Sequence, residues 1–118
     1  MTDQKPVILT IDDEQAIRVG FKAYLEDYDY TVLVAENGKV GLDMFEKEKP
    51  DLILVDLRMP EVDGLEVLKQ ISSSSTNTPI IVVSGTGVIH DVIEALHLGA
   101  WDYLLKPIED MSVLLHSV

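Results

Sequence analysis

The sequence predicts an α/β fold: three layers, with a doubly wound five-stranded parallel sheet in the order 2-1-3-4-5 between two layers of helices. Three observations predict it. Five short apolar runs recur at nearly even spacing: VILTI at 7–11, YTVLVA at 30–35, LILV at 52–55, PIIVV at 79–83 and WDYLL at 101–105. The stretches between them carry helical periodicity and have room for about three turns each. Most of the runs are continuously apolar rather than alternating, as strands are when helices cover both faces of their sheet. Parallel strands need right-handed crossovers, and strict strand and helix alternation supplies them.

Each intervening stretch shows a face. Over 14–27, Ile17, Phe21, Tyr24 and Leu25 fall on one side and Arg18, Lys22 and Glu26 on the other. The second helix sets Val40, Leu42, Met44 and Phe45 against Lys39, Asp43, Glu46 and Lys47, with Asn37 as its cap. In the third, Leu65, Leu68 and Ile71 recur before the run Ser72, Ser73, Ser74, Ser75, Thr76, Asn77, Thr78, which reads as a surface loop because strand 4 resumes at once. The fourth, over 88–98, places Val88, Val92, Ala95 and Leu96 on one face and stops at Gly99. A fifth follows Pro107 with Met111, Leu114, Leu115 and Val118 as its apolar face.

Length and composition bound the function. The 118 residues, 47% apolar and 25% charged, make one compact domain. Any effector domain is expected to lie outside them. Twenty-one acidic residues against nine Lys and Arg give a net charge of −12, which disfavours nucleic acid and anionic membrane as partners. With no cysteine there is no disulfide, thiol nucleophile or thiolate metal site. No apolar run approaches the roughly 20 residues needed to span a bilayer, and a cytoplasmic location is expected.

The carboxyl ends of the strands carry the chemistry. Strand 1 runs into Asp12 and Asp13, and strand 3 into Asp56. In the order 2-1-3-4-5 these strands are neighbours, so three carboxylates converge on the crevice where ligands bind in such sheets. Their mutual repulsion calls for a cation, and a hard one with oxygen ligands, Mg²⁺, suits carboxylates better than Zn²⁺. Strand 4 ends at Ser84 and strand 5 is followed by Lys106, a hydroxyl and an ammonium suited to phosphoryl oxygens. Asp56, the most central acid, can act as a nucleophile toward phosphorus. Taken singly, the acids at 12–14 also read as a helix start, Asp56 as a turn former and Lys106 as a surface lysine. Their coincidence across four strands favours a site.

These residues carry a resemblance. VILTIDDEQAIR, PDLILVDLRMPEVDGLEVL, TPIIVVSGTG and ALHLGAWDYLLKPI are similar to the motifs of response-regulator receiver domains, the CheY-like family of two-component phosphorelays, over essentially the whole chain. The resemblance implies that Asp56 is the phosphoacceptor. It also implies that Asp12, Asp13 and the backbone carbonyl of Arg58 join Asp56 in holding Mg²⁺, for which Mn²⁺ can substitute. Ser84 becomes the switch hydroxyl, Lys106 the phosphoryl partner, and Tyr103 the aromatic that turns inward, unless it is a half-buried strand residue without a switching role. The bond between Lys106 and Pro107 matches one that is cis in the family. The partners implied are a sensor histidine kinase or phosphotransfer protein, an effector reached through helix 4, strand 5 and helix 5, and a homodimer partner.

Some positions depart from the family pattern. Gly85 stands where the family more often has alanine, and with Gly87 it makes the loop after strand 4 mobile. By the resemblance, Arg58 and Thr86 occupy variable positions that in the family tune how fast the acyl phosphate is lost. Arg58 reads equally as a phosphoryl contact and as an exposed arginine. Asp63 and Gly64 read as helix start and relief of crowding; His90, His97 and His116 as ordinary histidines; Trp101 as a packing aromatic at the sheet edge. Two rival functions are a phosphorylation-independent interaction domain and a small Mg²⁺-dependent phosphatase. A dinucleotide or flavin carrier would need a phosphate-binding loop after strand 1, where DDEQ places repelling charge.

Overall fold

The computed structural model describes residues 5–74, 77–85, 87–106, 108 and 112. Its strands are β1 (Val7–Ile11), β2 (Thr31–Ala35), β3 (Leu52–Val55), β4 (Ile80–Ser84) and β5 (Asp102–Leu105). The helices among the described residues are α1 (Gln15–Glu26), α2 (Gly38–Glu48), α3 (Gly64–Ser72) and α4 (Ile89–His97). The sheet order is β2-β1-β3-β4-β5, parallel throughout, as the sequence predicts. The expected fifth helix with Met111, Leu114, Leu115 and Val118, the Pro107 bond, Thr86 and His116 lie outside the described residues.

Alternation along the strands divides the core. Leu9, Ile11, Ile53, Val55, Ile80 and Val82 point to one face, where Phe45 of α2, Val67, Leu68 and Ile71 of α3, and Ala95 of α4 cover them. Ile8, Leu52, Leu54, Ile81 and Val83 point to the other, against Phe21 and Leu25 of α1. β3 and β4 are buried at every position, which is why they read as unbroken apolar runs.

The helix ends follow from local chemistry. Asn37 accepts a hydrogen bond from the Val40 amide at 2.8 Å, and Asp63 accepts one from the Glu66 amide at 3.0 Å, so both cap as expected. The Ser73 hydroxyl donates to the Lys69 carbonyl and that of Ser74 to the Ile71 carbonyl, so the first part of the serine run closes α3. Gly99 follows α4 with φ +113, a conformation that side chains rarely adopt.

Two expectations need correction. The inward face of α4 is Asp91 and Ala95, with Val92 and Leu98 half-buried, while Val88 and Leu96 are exposed. Apolar residues at 88, 89, 92, 93, 95, 96 and 98 surround more than half of this helix, so periodicity could not select the side that packs. Trp101, expected as a packing aromatic at the sheet edge, is 69% exposed. Its amide, not its ring, ties it to the sheet, donating to the Ile80 carbonyl at 2.7 Å.

Candidate functional site: an acidic crevice at the strand ends

Backbone pairing sets the first residues of the site. The Asp12 amide donates to the Ala35 carbonyl at 3.1 Å, and the Asp56 amide to the Ile11 carbonyl at 3.0 Å. The parallel ladders therefore continue one step beyond β1 and β3 and place the two aspartates side by side. Both are buried, whereas Asp13 and Glu14 are exposed at the mouth. Lys106 arrives from the other side, its amide donating to the Ser84 carbonyl at 2.9 Å.

A crevice of about 440 Å³ results, lined by Asp13, Glu14, Asp56, Arg58, Ser84, Gly85 and Lys106. Asp12, Asp13, Glu14 and Asp56 each offer a carboxylate oxygen, all within 4.8 Å of one another. Lys106 Nζ reaches three of these acids: Asp12 Oδ2 at 2.7 Å, Glu14 Oε1 at 3.1 Å and Asp56 Oδ2 at 3.4 Å. One ammonium against four carboxylates leaves the crevice strongly anionic. An all-oxygen donor set with excess negative charge fits a hard divalent cation.

Burial raises the Asp12 carboxyl above its ordinary value of 3.8; hydrogen bonds from Lys106 and the Glu14 amide act the other way without overcoming it. Burial alone would lower Lys106, but its bonds to Asp12 and Glu14 and the charges of Asp12 and Asp56 raise it. The ammonium is thus held firmly charged.

The turn after β3 is shaped by contact. A Cβ on Gly64 would lie 2.0 Å from the Asp56 carbonyl oxygen and 2.6 Å from Leu57 Cα, so only glycine lets α3 start against the backbone of Asp56. Leu57 and Met59 are buried, and the Gly64 amide donates to the Leu57 carbonyl at 2.9 Å. Arg58 donates its own amide to Asp56 Oδ1 at 3.4 Å.

Of the residues singled out from sequence, Asp12, Asp13, Asp56, Ser84, Lys106 and the Arg58 backbone meet at the crevice. Tyr103 lies behind Ser84, half-buried against the α2, α3 and α4 side of the core. Burial raises its hydroxyl above 10.0, opposed by a hydrogen bond with Ser84. Glu14 escaped the sequence reading as a site member: it read as part of a helix start, although its adjacency to Asp12 and Asp13 was the available signal.

A phosphate-loop carrier is excluded by this crevice, whose first turn presents carboxylates. The family model for the response regulator receiver domain matches residues 8–118. The chain belongs to that family, the receiver domains of two-component signalling. It is 45% identical over 101 residues to the transcriptional regulatory protein YdfI of Bacillus subtilis, covering 84% of this chain and 47% of that protein. It is 36% identical over 102 residues to the regulatory protein AtoC of Escherichia coli, covering 86% of this chain and 22% of that one. The chain thus spans less than half the length of these relatives. Among solved structures, a CheY-like receiver domain from Methanospirillum hungatei superimposes with a TM-score of 0.91 at 30% identity, covering 96% of this chain and 90% of the other. Chemotaxis protein CheY4 of Vibrio cholerae gives a TM-score of 0.87 at 29% identity, covering 96% and 95%. Among the described residues no helix is long and apolar enough to cross a membrane.

Proposed function

We propose that the chain takes a phosphoryl group onto Asp56 from the phosphohistidine of a sensor histidine kinase or a phosphotransfer protein. The observation that carries this reading is the Asp56 carboxylate, 5% exposed at the heart of the crevice, with Lys106 Nζ 3.4 Å away. An Asp56 carboxylate oxygen attacks phosphorus, and the bond from phosphorus to the donor imidazole nitrogen breaks with its electron pair leaving on the ring. Lys106 and the Ser84 hydroxyl meet the phosphoryl oxygens. Asp12, Asp13, Asp56 and the Arg58 carbonyl would hold Mg²⁺ or Mn²⁺, with Glu14 as a further acid at the mouth. That ion supplies positive charge to the transferring oxygens. Water later hydrolyses the acyl phosphate, so the chain promotes only its own phosphorylation and dephosphorylation.

The phosphorylated crevice draws Ser84 inward, Tyr103 follows, and the surface of α4, β5 and the following helix changes for its partner. Arg58 and Thr86 tune the lifetime of the acyl phosphate. The domain 1–118 acts in the cytoplasm without touching nucleic acid or membrane itself, paired with an effector domain outside this chain or with a second copy. The lengths of YdfI and AtoC beyond the matched region support a separate effector.

Incubation with acetyl phosphate and MgCl₂ tests the reading. The expected product is a single hydroxylamine-labile phosphoryl adduct, absent from Asp56→Ala. An unmodified wild-type chain, with partner binding indifferent to Asp56→Ala, would favour the phosphorylation-independent domain. Multiple turnover on a diffusible phosphoester, lost in Asp56→Ala, would favour the phosphatase.

A further inference from the structure

Arg58 meets Asp56 through its backbone, but its side chain has another partner. Nη2 donates to Asp91 Oδ2 at 2.5 Å, joining the loop after β3 to the first turn of α4. Asp91 is 6% exposed, and among the described residues only Asp12 and Asp56 are comparably buried acids. A buried carboxylate is costly unless paired, and its place in the first turn of a helix relieves only part of that cost.

The pair is asymmetric. The side chain of Arg58 is 61% exposed and that of Asp91 8%. The arginine can swing through water at little cost, whereas the aspartate is held in the protein. Arg58 also lines the crevice with Asp56, Ser84 and Lys106. Tyr103, partly buried on the α4 side of the core, feels the charges of Asp91, Arg58 and Asp56 together.

We propose that Asp91 is a positioning residue for phosphoryl acceptance: it holds the Arg58 guanidinium at the rim of the crevice, and a phosphoryl group on Asp56 competes with it for that guanidinium. The inference rests on the reading of Asp56 as phosphoacceptor. A phosphoryl group brings nearly two negative charges and three strong acceptors, and guanidinium pairs with it bidentately. When Arg58 turns to it, Asp91 loses the arginine's charge. Movement of the first turn of α4, which brings the carboxylate toward water, offsets that loss. Phosphorylation then reaches α4 through exchange of a charge partner, alongside the packing of Ser84 and Tyr103.

The test measures two quantities on the full 118-residue chain with acetyl phosphate and MgCl₂. One is the rate of adduct formation, in which Asp56 bonds to phosphorus while acetate departs with the electron pair of the broken P–O bond. The other is amide hydrogen exchange over 89–92. Asp91→Asn should accelerate acceptance and Arg58→Ala slow it, each by about fivefold, the lower end of ordinary site-to-site coupling. The double variant should match Arg58→Ala, and Asp91→Glu should return the wild-type rate. A purely structural clasp would move both single variants the same way, and that result overturns the proposal. In the wild type the adduct should speed exchange over 89–92, and in Arg58→Ala it should not. Arg58→Ala alters an exposed side chain, so this second comparison stands even where Asp91→Asn fails to fold. A wild-type adduct with unchanged exchange overturns the proposal and leaves the phosphoacceptor reading intact. Absence of any wild-type adduct overturns that reading and this one with it.

Discussion

Lys106 Nζ lies 2.7 Å from Asp12 Oδ2 and 3.4 Å from Asp56 Oδ2, so the lysine leans toward the first strand rather than the third. Asp12 and Lys106 both have raised pKa values, which for a simple pair would be contradictory. The sharing explains it: Lys106 collects three acids, whereas Asp12 has a share of one ammonium and the Glu14 amide to set against its burial.

Removing that ammonium should be expensive. Lys106→Met is expected to lower stability by about 3 kcal/mol, the low end for breaking a buried ion pair by deleting one partner. Adding Asp12→Asn should recover much of the loss, because the buried charge goes with its partner. Urea unfolding of the single and double variants checks this, and a double variant less stable than Lys106→Met would contradict it.

A divalent cation should stabilise the fold. At a Mg²⁺ concentration 100 times its dissociation constant the gain is about 2.7 kcal/mol, and Ca²⁺-free thermal melts with and without chelator should show it. Asp13→Asn removes an exposed carboxylate and should abolish the gain while leaving the chelated protein's melting temperature nearly unchanged. An equal Mg²⁺ shift in wild type and Asp13→Asn would remove Asp13 from the ligand set.

The alkaline limb of stability has a defined direction. Tyr103 and Lys106 are both raised in the folded chain, from 10.0 and 10.5. Each therefore contributes stability that is complete below its unfolded value and is lost as pH rises through its higher folded value. Urea midpoints should fall above pH 10.0, and less steeply in Tyr103→Phe, where only the lysine's part remains. An equally steep fall in that variant would refute the tyrosine's contribution.

Two glycines near the crevice should respond in opposite ways. Gly64→Ala drives a Cβ into the backbone of Asp56 and Leu57 and should cost about 3 kcal/mol or more, with loss of phosphoryl acceptance. Around Gly85 a Cβ would meet nothing within 4 Å, and its φ is not positive. Gly85→Ala should therefore stabilise by about 0.4–1 kcal/mol through the unfolded chain. Thermal melts of the two variants decide both.

The sheet was legible because β3 and β4 are buried on both faces and their residues say so in unbroken runs. The crevice was legible because its acids, hydroxyl and lysine stand at strand ends, where topology alone brings them together. α4 was less so: its apolar residues leave no preferred side, and the face that packs combines Ala95 with Asp91, whose partner lies 33 positions away. Glu14 was read for its helix rather than for its reach to Lys106, a contact visible only once β5 is placed.

That contact spans 92 residues, and the one from Lys106 to Asp56 spans 50. During synthesis Asp12, Glu14 and Asp56 emerge long before the lysine that gathers them, so the half-made chain carries these acids without the ammonium that later pairs with all three. Docking of β5 ends that condition. The arrival of β5 thus completes the described sheet edge and brings Lys106 to three of the crevice acids in one event, and a nascent chain cannot have a working site before β5 is in place.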